Sequence, residues 1–155
     1  MHVLFVCTGN TCRSAIAEAV ARRDVTERGL TNLVFSSAGS SAWDGAPASD
    51  GALLVGIERR IDLSSHRSRQ LNREIVDAAD LILAMGPHHV ERVEALGGAG
   101  KSWMLSDYAE RSSAGRSIVD PFGGGLEAYR ATADELEGYI VAVLERIAKG
   151  TAGAA

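Results

Sequence analysis

Apolar positions along the chain follow two alternating patterns. The first segment, HVLFVC, is a nearly unbroken run of aliphatic, β-branched and aromatic residues, as expected of a strand buried on both faces and ending near Cys7. Behind Ser14, residues Ile16, Ala17, Val20 and Ala21 recur at helical spacing, Glu18 stands four residues before Arg22, and Gly29 offers a stop. The pair then repeats. NLVFSSAG predicts a second strand, and APASDGALLVGIERR predicts a helix with Pro47 in its first turn, although Gly51 and Gly56 weaken that pattern. LNREIVDAAD predicts a helix, LILAM at Leu81 to Met85 a buried strand, PHHVERVEAL a helix stopped by Gly97 and Gly98, and SWML a short fourth strand. A last helix spans about Leu126 to Ile147.

Strands spaced too far apart for hairpins, with helices between them, require right-handed crossovers. The prediction is a single-domain, three-layer α/β sandwich: a four-stranded parallel sheet with helices on both faces. The domain is expected over residues 1–149, with a flexible tail over 150–155. Ser106 to Gly125 is rich in Ser, Gly and Asp and shows no period, so it reads as a long loop, a class of segment that usually serves function.

Composition narrows the function. A chain of 155 residues, 46% hydrophobic, supports one sizeable core. A net charge of −4 argues against a general nucleic-acid binder, whose surface must displace counterions from phosphates. No apolar run approaches the roughly 18 residues that cross a bilayer, and the N-terminus lacks the pattern of a signal peptide, so no membrane partner and a cytoplasmic location are expected. The two cysteines, Cys7 and Cys12, are close in sequence and make a poor disulfide framework; reactive thiols in a reducing compartment fit better.

In an open parallel sheet, ligands gather beyond the carboxyl ends of the strands. CTGNTCRS occupies that place after strand one. It is neither a Walker loop nor a dinucleotide fingerprint, and the Gly123 to Gly125 run does not sit between a strand and a helix. What remains is Cys7 followed, after five residues, by Arg13. Such a loop, Thr8 to Cys12, can wrap one tetrahedral anion with backbone N–H groups at the positive end of the helix. Gly9 and Asn10 tolerate positive φ, and Arg13 closes the ring with two parallel donors. The same field favours a negatively charged sulfur at its centre, making Cys7 a nucleophile. The bland alternative is an inert core thiol at a strand end. His88 and His89 are adjacent, fall on different helical faces and lack further ligands at metal spacing, so no metal and no cofactor are expected.

VCTGNTCRS closely resembles the phosphate-binding signature of the low-molecular-weight protein tyrosine phosphatases, and within that family most resembles the bacterial protein arginine phosphatases. The likeness continues through SSAG, SHRSRQL, DAADLILAM and VDPFGGGLEAYRATADELE. It implies that Cys7 attacks phosphorus, that Arg13 stabilises the equatorial oxygens, and that Asp120, before Pro121, is the general acid that later activates water. It also implies that Thr8 to Ser14 bind the phosphate, and that Asn10, Ser14, Ser37 and His66 hold the loop in shape, Ser14 also orienting the thiolate; without the resemblance His66 reads as a solvated loop histidine. Phe122 reads either as a wall of the entrance or as a core anchor for the loop. Arg67, Arg69 and Arg73 either form a solvated face or add positive potential near the pocket.

The implied substrates are phosphorylated proteins. Phosphoarginine is favoured because Thr11 stands where tyrosine-directed relatives usually carry a bulky aliphatic such as Ile; phosphotyrosine is the alternative. Ala15 departs from the Pro that many relatives have after the serine, which leaves a less rigid helix start. Cys12, in the same tight loop, is expected to capture oxidised Cys7 as a reversible disulfide, with simple packing as its other reading. Two further classes are weaker. A non-catalytic phosphate-binding module has no need of Cys7 and Asp120, and an arsenate reductase relaying electrons through a third cysteine is excluded by the count of two.

Overall fold

A computed structural model describes the backbone of residues 1–154 and the side chains of residues 1–150. HVLFVC forms β1 (His2–Cys7), buried from Val3 onward, and it needs apolar residues throughout because it has neighbours on every side. It pairs in parallel with β2 (Val34–Gly39), Cys7 lying opposite Gly39, and with β3 (Leu81–Ala84), Val6 lying opposite Ala84. β4 (Ser102–Met104) pairs with β3, giving the order β2-β1-β3-β4.

Alternate residues of β1 divide the core. Val3 and Phe5 join one cluster with α1 (Arg13–Glu27), α2 (Asp50–Arg59), α5 (Leu105–Glu110) and α6 (Leu126–Ala154), through residues such as Ile16, Val55, Leu105 and Leu136. Leu4 and Val6 join the other, with Val76 of α3 (Arg73–Ala78) and Val93 of α4 (Pro87–Val93). These are the three expected layers, with helices on both faces of a four-stranded parallel sheet.

Several boundaries move for local reasons. α2 begins at Asp50 rather than in the first turn after Ala46, because the preceding chain is held extended: Ser49 N donates to Thr11 O at 3.0 Å and Ala46 N to Ser68 Oγ at 3.0 Å. Pro47 therefore lies ahead of the helix. The two glycines that weakened the α2 pattern are packing sites, since a Cβ at Gly51 would come within 2.4 Å of the Tyr129 ring and one at Gly56 within 2.8 Å of Ile61 O. α3 is shorter than its sequence pattern because Asn72 caps it, accepting from Ile75 N at 2.9 Å. α4 passes into a wide turn over Glu94–Gly98, where Gly97 takes a φ of 100°.

The expected loop from Ser106 is in part a helix, and Leu105, expected at the end of strand four, starts it. α5 is too short for a period to show, and its buried polar residue points inward: Ser106 Oγ donates to Arg116 O at 2.6 Å. The rest of the segment is irregular but stitched to the sheet, with Ile118 N donating to Met85 O at 2.9 Å and Met85 N to Val6 O at 3.0 Å. α6 runs past the expected end near Ile147. The proposed tail over 150–155 falls partly on this helical backbone; its side chains from 151 and all of Ala155 lie outside the described residues.

Candidate active site

The loop between β1 and α1 turns on Asn10, a buried residue with a φ of 58°; Gly9 does not take a positive φ, contrary to expectation. Asn10 is fixed through its carbonyl and both polar atoms of its side chain. Its carbonyl accepts from His66 Nε2 at 2.6 Å, which makes that nitrogen the protonated one. Its Oδ1 accepts from Arg69 N at 3.0 Å, which orients the amide. Its Nδ2 donates to Ser14 Oγ at 2.8 Å and to Ser37 Oγ at 2.9 Å.

The directions of the hydroxyls follow. Ser37 accepts from Asn10 and donates to Glu18 Oε1 at 2.8 Å. Ser14 accepts from Asn10, so its single proton is free for Cys7 Sγ, 2.9 Å away. The Ser14 hydroxyl is thereby aimed at the sulfur. The structure brings together Asn10, Ser14, Ser37 and His66, the four residues implied by resemblance, and adds Glu18, Gly39 and Arg69, whose contacts sequence reasoning did not anticipate. Arg69 Nε also donates to Ser37 O at 2.8 Å, while Arg67 donates to the nearby surface carbonyls of Ser64 and His66. Gly39 is a close approach, since a Cβ there would lie 2.4 Å from Thr8 O and 3.0 Å from Asn10 N.

Beside the loop is a cavity of about 200 Å³ that brings together Cys7, Thr8, Thr11, Arg13, Asp120 and Phe122, with Gly9 and Cys12 also in its wall. Arg13 opens α1 and is buried. Its Nη1 donates to Ile118 O at 3.0 Å, its Nη2 lies 3.5 Å from Asp120 Oδ2, and its buried Nε has no protein partner among the described residues. A buried guanidinium with a free N–H, set at the start of a helix, is a ready site for an oxyanion. Asp120 is half exposed and accepts from Phe122 N at 3.0 Å; Phe122, 74% exposed, forms an open rim. A larger concavity of about 1030 Å³ lies behind Ser37 and His66, but neither cysteine lines it.

Three contacts were invisible in the sequence. Cys12 Sγ sits 3.2 Å from Ser49 Oγ and 3.4 Å from the hydroxyl of Tyr129, on α6; burial and then the Cys12 contact raise that phenol above its ordinary pKa. Both cysteines are free thiols. His89 is buried in α4, with Nε2 2.8 Å from Thr8 Oγ1. Its pKa is pushed down to about 3, by burial first and then by the positive charges of His88 and Arg13, against the opposing pull of Asp120. Among the described residues no three His, Cys, Asp or Glu side chains converge as a metal site, and no helix is long and apolar enough to cross a membrane.

A parallel α/β sheet whose first strand delivers a cysteine into an anion loop closed by arginine defines a cysteine-based phosphatase. Residues 2–152 match the family described as low molecular weight phosphotyrosine protein phosphatase, and the chain belongs to that family. It is 40% identical to the protein-arginine-phosphatase of Geobacillus stearothermophilus, covering 94% of this chain and 95% of that one. It is 38% identical to the protein-arginine-phosphatase of Bacillus subtilis, covering 88% and 90%. The solved structure of YwlE arginine phosphatase from Geobacillus stearothermophilus superimposes with a TM-score of 0.89 at 36% identity, covering 98% of this chain and 96% of that one. The chain is accordingly a hydrolase of phosphorylated protein side chains.

Proposed function

We propose that the protein removes phosphoryl groups from phosphoarginine in proteins, with Cys7, Arg13 and Asp120 as its working groups. The Cys7 thiolate attacks phosphorus and forms an S–P bond as the P–N bond breaks. The Asp120 carboxyl gives its proton to the departing guanidine nitrogen. Arg13 and the loop N–H groups hold the equatorial oxygens, where charge must be stabilised throughout. Asp120, now a carboxylate, takes a proton from water as that water attacks the cysteinyl phosphate, and inorganic phosphate leaves.

The observation that carries this reading is that Cys7, Arg13 and Asp120 line one small cavity, although they come from β1, α1 and the irregular segment before α6. The preference for arginine rests on Thr11 in the cavity wall. Its hydroxyl has only a long contact, 3.8 Å, to Cys12 Sγ, which leaves it available to a guanidinium N–H or to the attacking water. Asp120 adds a carboxyl whose carbonyl oxygen can accept from a guanidinium N–H. The names of the two protein-arginine-phosphatase relatives agree with it.

Phosphotyrosine is the second reading, favoured by the exposed Phe122 ring, a surface for a phenyl group. Hydrolysis of matched phosphoarginine and phosphotyrosine peptides decides between them. The expected result is a higher kcat/KM for phosphoarginine, with Thr11→Ile moving the ratio towards tyrosine by about tenfold, roughly 1.4 kcal/mol of differential transition-state binding. A wild-type preference for phosphotyrosine, or an unchanged ratio in Thr11→Ile, returns the assignment to tyrosine.

A further inference from the structure

Thr8 is the first residue after the nucleophile and lines the cavity, yet neither the sequence pattern nor the chemistry proposed above gives its side chain a task. Its hydroxyl has one partner among the described residues, Nε2 of His89 at 2.8 Å, and that partner comes from a helix 81 positions away on the opposite face of the sheet. His89 is wholly buried, and its second nitrogen, Nδ1, is buried without a partner among the described residues. A buried polar ring with one satisfied atom is costly, so the single bond it makes has to justify its place.

The ring is neutral, because burial and the positive charges of His88 and Arg13 oppose its protonation. A neutral imidazole has one N–H and one bare nitrogen, and two arrangements fit the 2.8 Å contact. If Thr8 donated to Nε2, Nδ1 would be an orphaned buried N–H. If Nε2–H donates to Thr8, Nδ1 is only an unused lone pair. Buried donors without acceptors are the rarer fault, which favours the second arrangement. The Thr8 hydroxyl is then an acceptor towards His89, and its own proton has no acceptor among the described residues. The cavity it lines also holds Arg13 and the thiol.

We infer that His89 is a positioning residue for phosphate: its Nε2–H holds the Thr8 oxygen so that the Thr8 hydroxyl proton is donated to a phosphoryl oxygen in the cavity. The inference rests on the phosphatase reading of that cavity. It adds to the loop N–H groups and Arg13 one side-chain donor whose direction is set from beneath the sheet. Donating to a charged oxygen, it is worth about tenfold in phosphate affinity.

Calorimetric titration with inorganic phosphate tests it directly, alongside kcat/KM on a phosphopeptide. Thr8→Val, which keeps shape and removes the hydroxyl, is expected to weaken phosphate binding about tenfold, and Thr8→Ser to recover most of it. His89→Phe is expected to cost a similar factor, and the double variant no more than either single one, since His89 acts through Thr8. Nitrogen-15 shifts of the wild-type imidazole are expected to report the Nε2–H form. Unchanged phosphate affinity in Thr8→Val, additive losses in the double variant, or an Nδ1–H tautomer would each overturn the inference. If His89→Phe does not fold, Thr8→Val and the tautomer still decide. A wild type that hydrolyses neither phosphoarginine nor phosphotyrosine peptides would instead overturn the phosphatase reading, a result separable from the phosphate titration.

Discussion

Cys7 and Asp120 are assigned different steps, and substitution separates them. Cys7→Ser replaces a thiolate with a neutral hydroxyl, so turnover is expected to fall about 10⁴-fold or more while phosphate still binds the intact loop. Rapid quench of the wild type should find phosphate on Cys7, and a serine variant with full activity would exclude the covalent route. Asp120→Asn keeps the side chain's size and removes its proton. Substrates with basic leaving groups are expected to slow by roughly 10²–10⁴-fold, and activated aryl phosphates far less, because their leaving groups depart without protonation. Equal losses on both would make Asp120 a structural residue. Cys7 and Arg13 were legible as a pair because their spacing at a strand end, with Gly9 and Asn10 between them, fits a loop wrapped round an anion. Asp120 was legible only through family resemblance, since a bare Asp-Pro reads as a turn. His89 and Tyr129 were not legible, for their partners Thr8 and Cys12 lie in distant sequence and neither pair forms a pattern along the chain.

At the scale of elements, the phosphate loop keeps its shape because the end of β2 is pressed against it. Cys7 pairs with Gly39 across the sheet, and Ser40 N and Ser41 N donate to Cys7 O and Thr8 O, each at 2.9 Å. No side chain fits there, since a Cβ would meet the backbone atoms Thr8 O and Asn10 N and the Cβ of Ala42. Gly39→Ala is therefore expected to lower stability by about 1–3 kcal/mol and to displace Thr8 and Asn10, with a loss in kcat/KM beyond that of an equally destabilised core variant. Denaturant midpoints and kinetics on both variants check this; an alanine variant matching wild type in both would mean the loop yields without cost. The strands were the most legible elements, because runs buried on both faces, such as LILAM, have few other readings. α5 was not, because six residues show no period and its buried serine disguises the inward face. The start of α2 was misplaced because hydrogen bonds to Thr11 and Ser68, rather than local propensity, hold Ala46 to Ser49 extended.

For the whole molecule, the sequence spacing implied four parallel strands but not their order, which depends on how the crossovers pack. The order β2-β1-β3-β4 places β1 in the interior, and α4 can therefore reach the phosphate loop from beneath. That reach ties folding to pH. His89 is neutral in the folded protein, with a pKa of about 3, whereas an unfolded histidine titrates near its ordinary 6.5. Between those values the unfolded chain binds a proton that the folded one refuses, so stability falls as pH falls. The loss is absent above about pH 6.5, grows by up to about 1.4 kcal/mol for each pH unit below it, and is complete near pH 3. Carboxylates titrate in the lower part of the same window, so the contribution of His89 is read as a difference. Urea denaturation of wild type and His89→Gln at pH 7, 6 and 5 is expected to give curves whose separation changes steadily below pH 6.5 in favour of the glutamine variant. A separation that stays constant from pH 7 to pH 5 would mean that His89 takes up its proton in the folded state as readily as in the unfolded one.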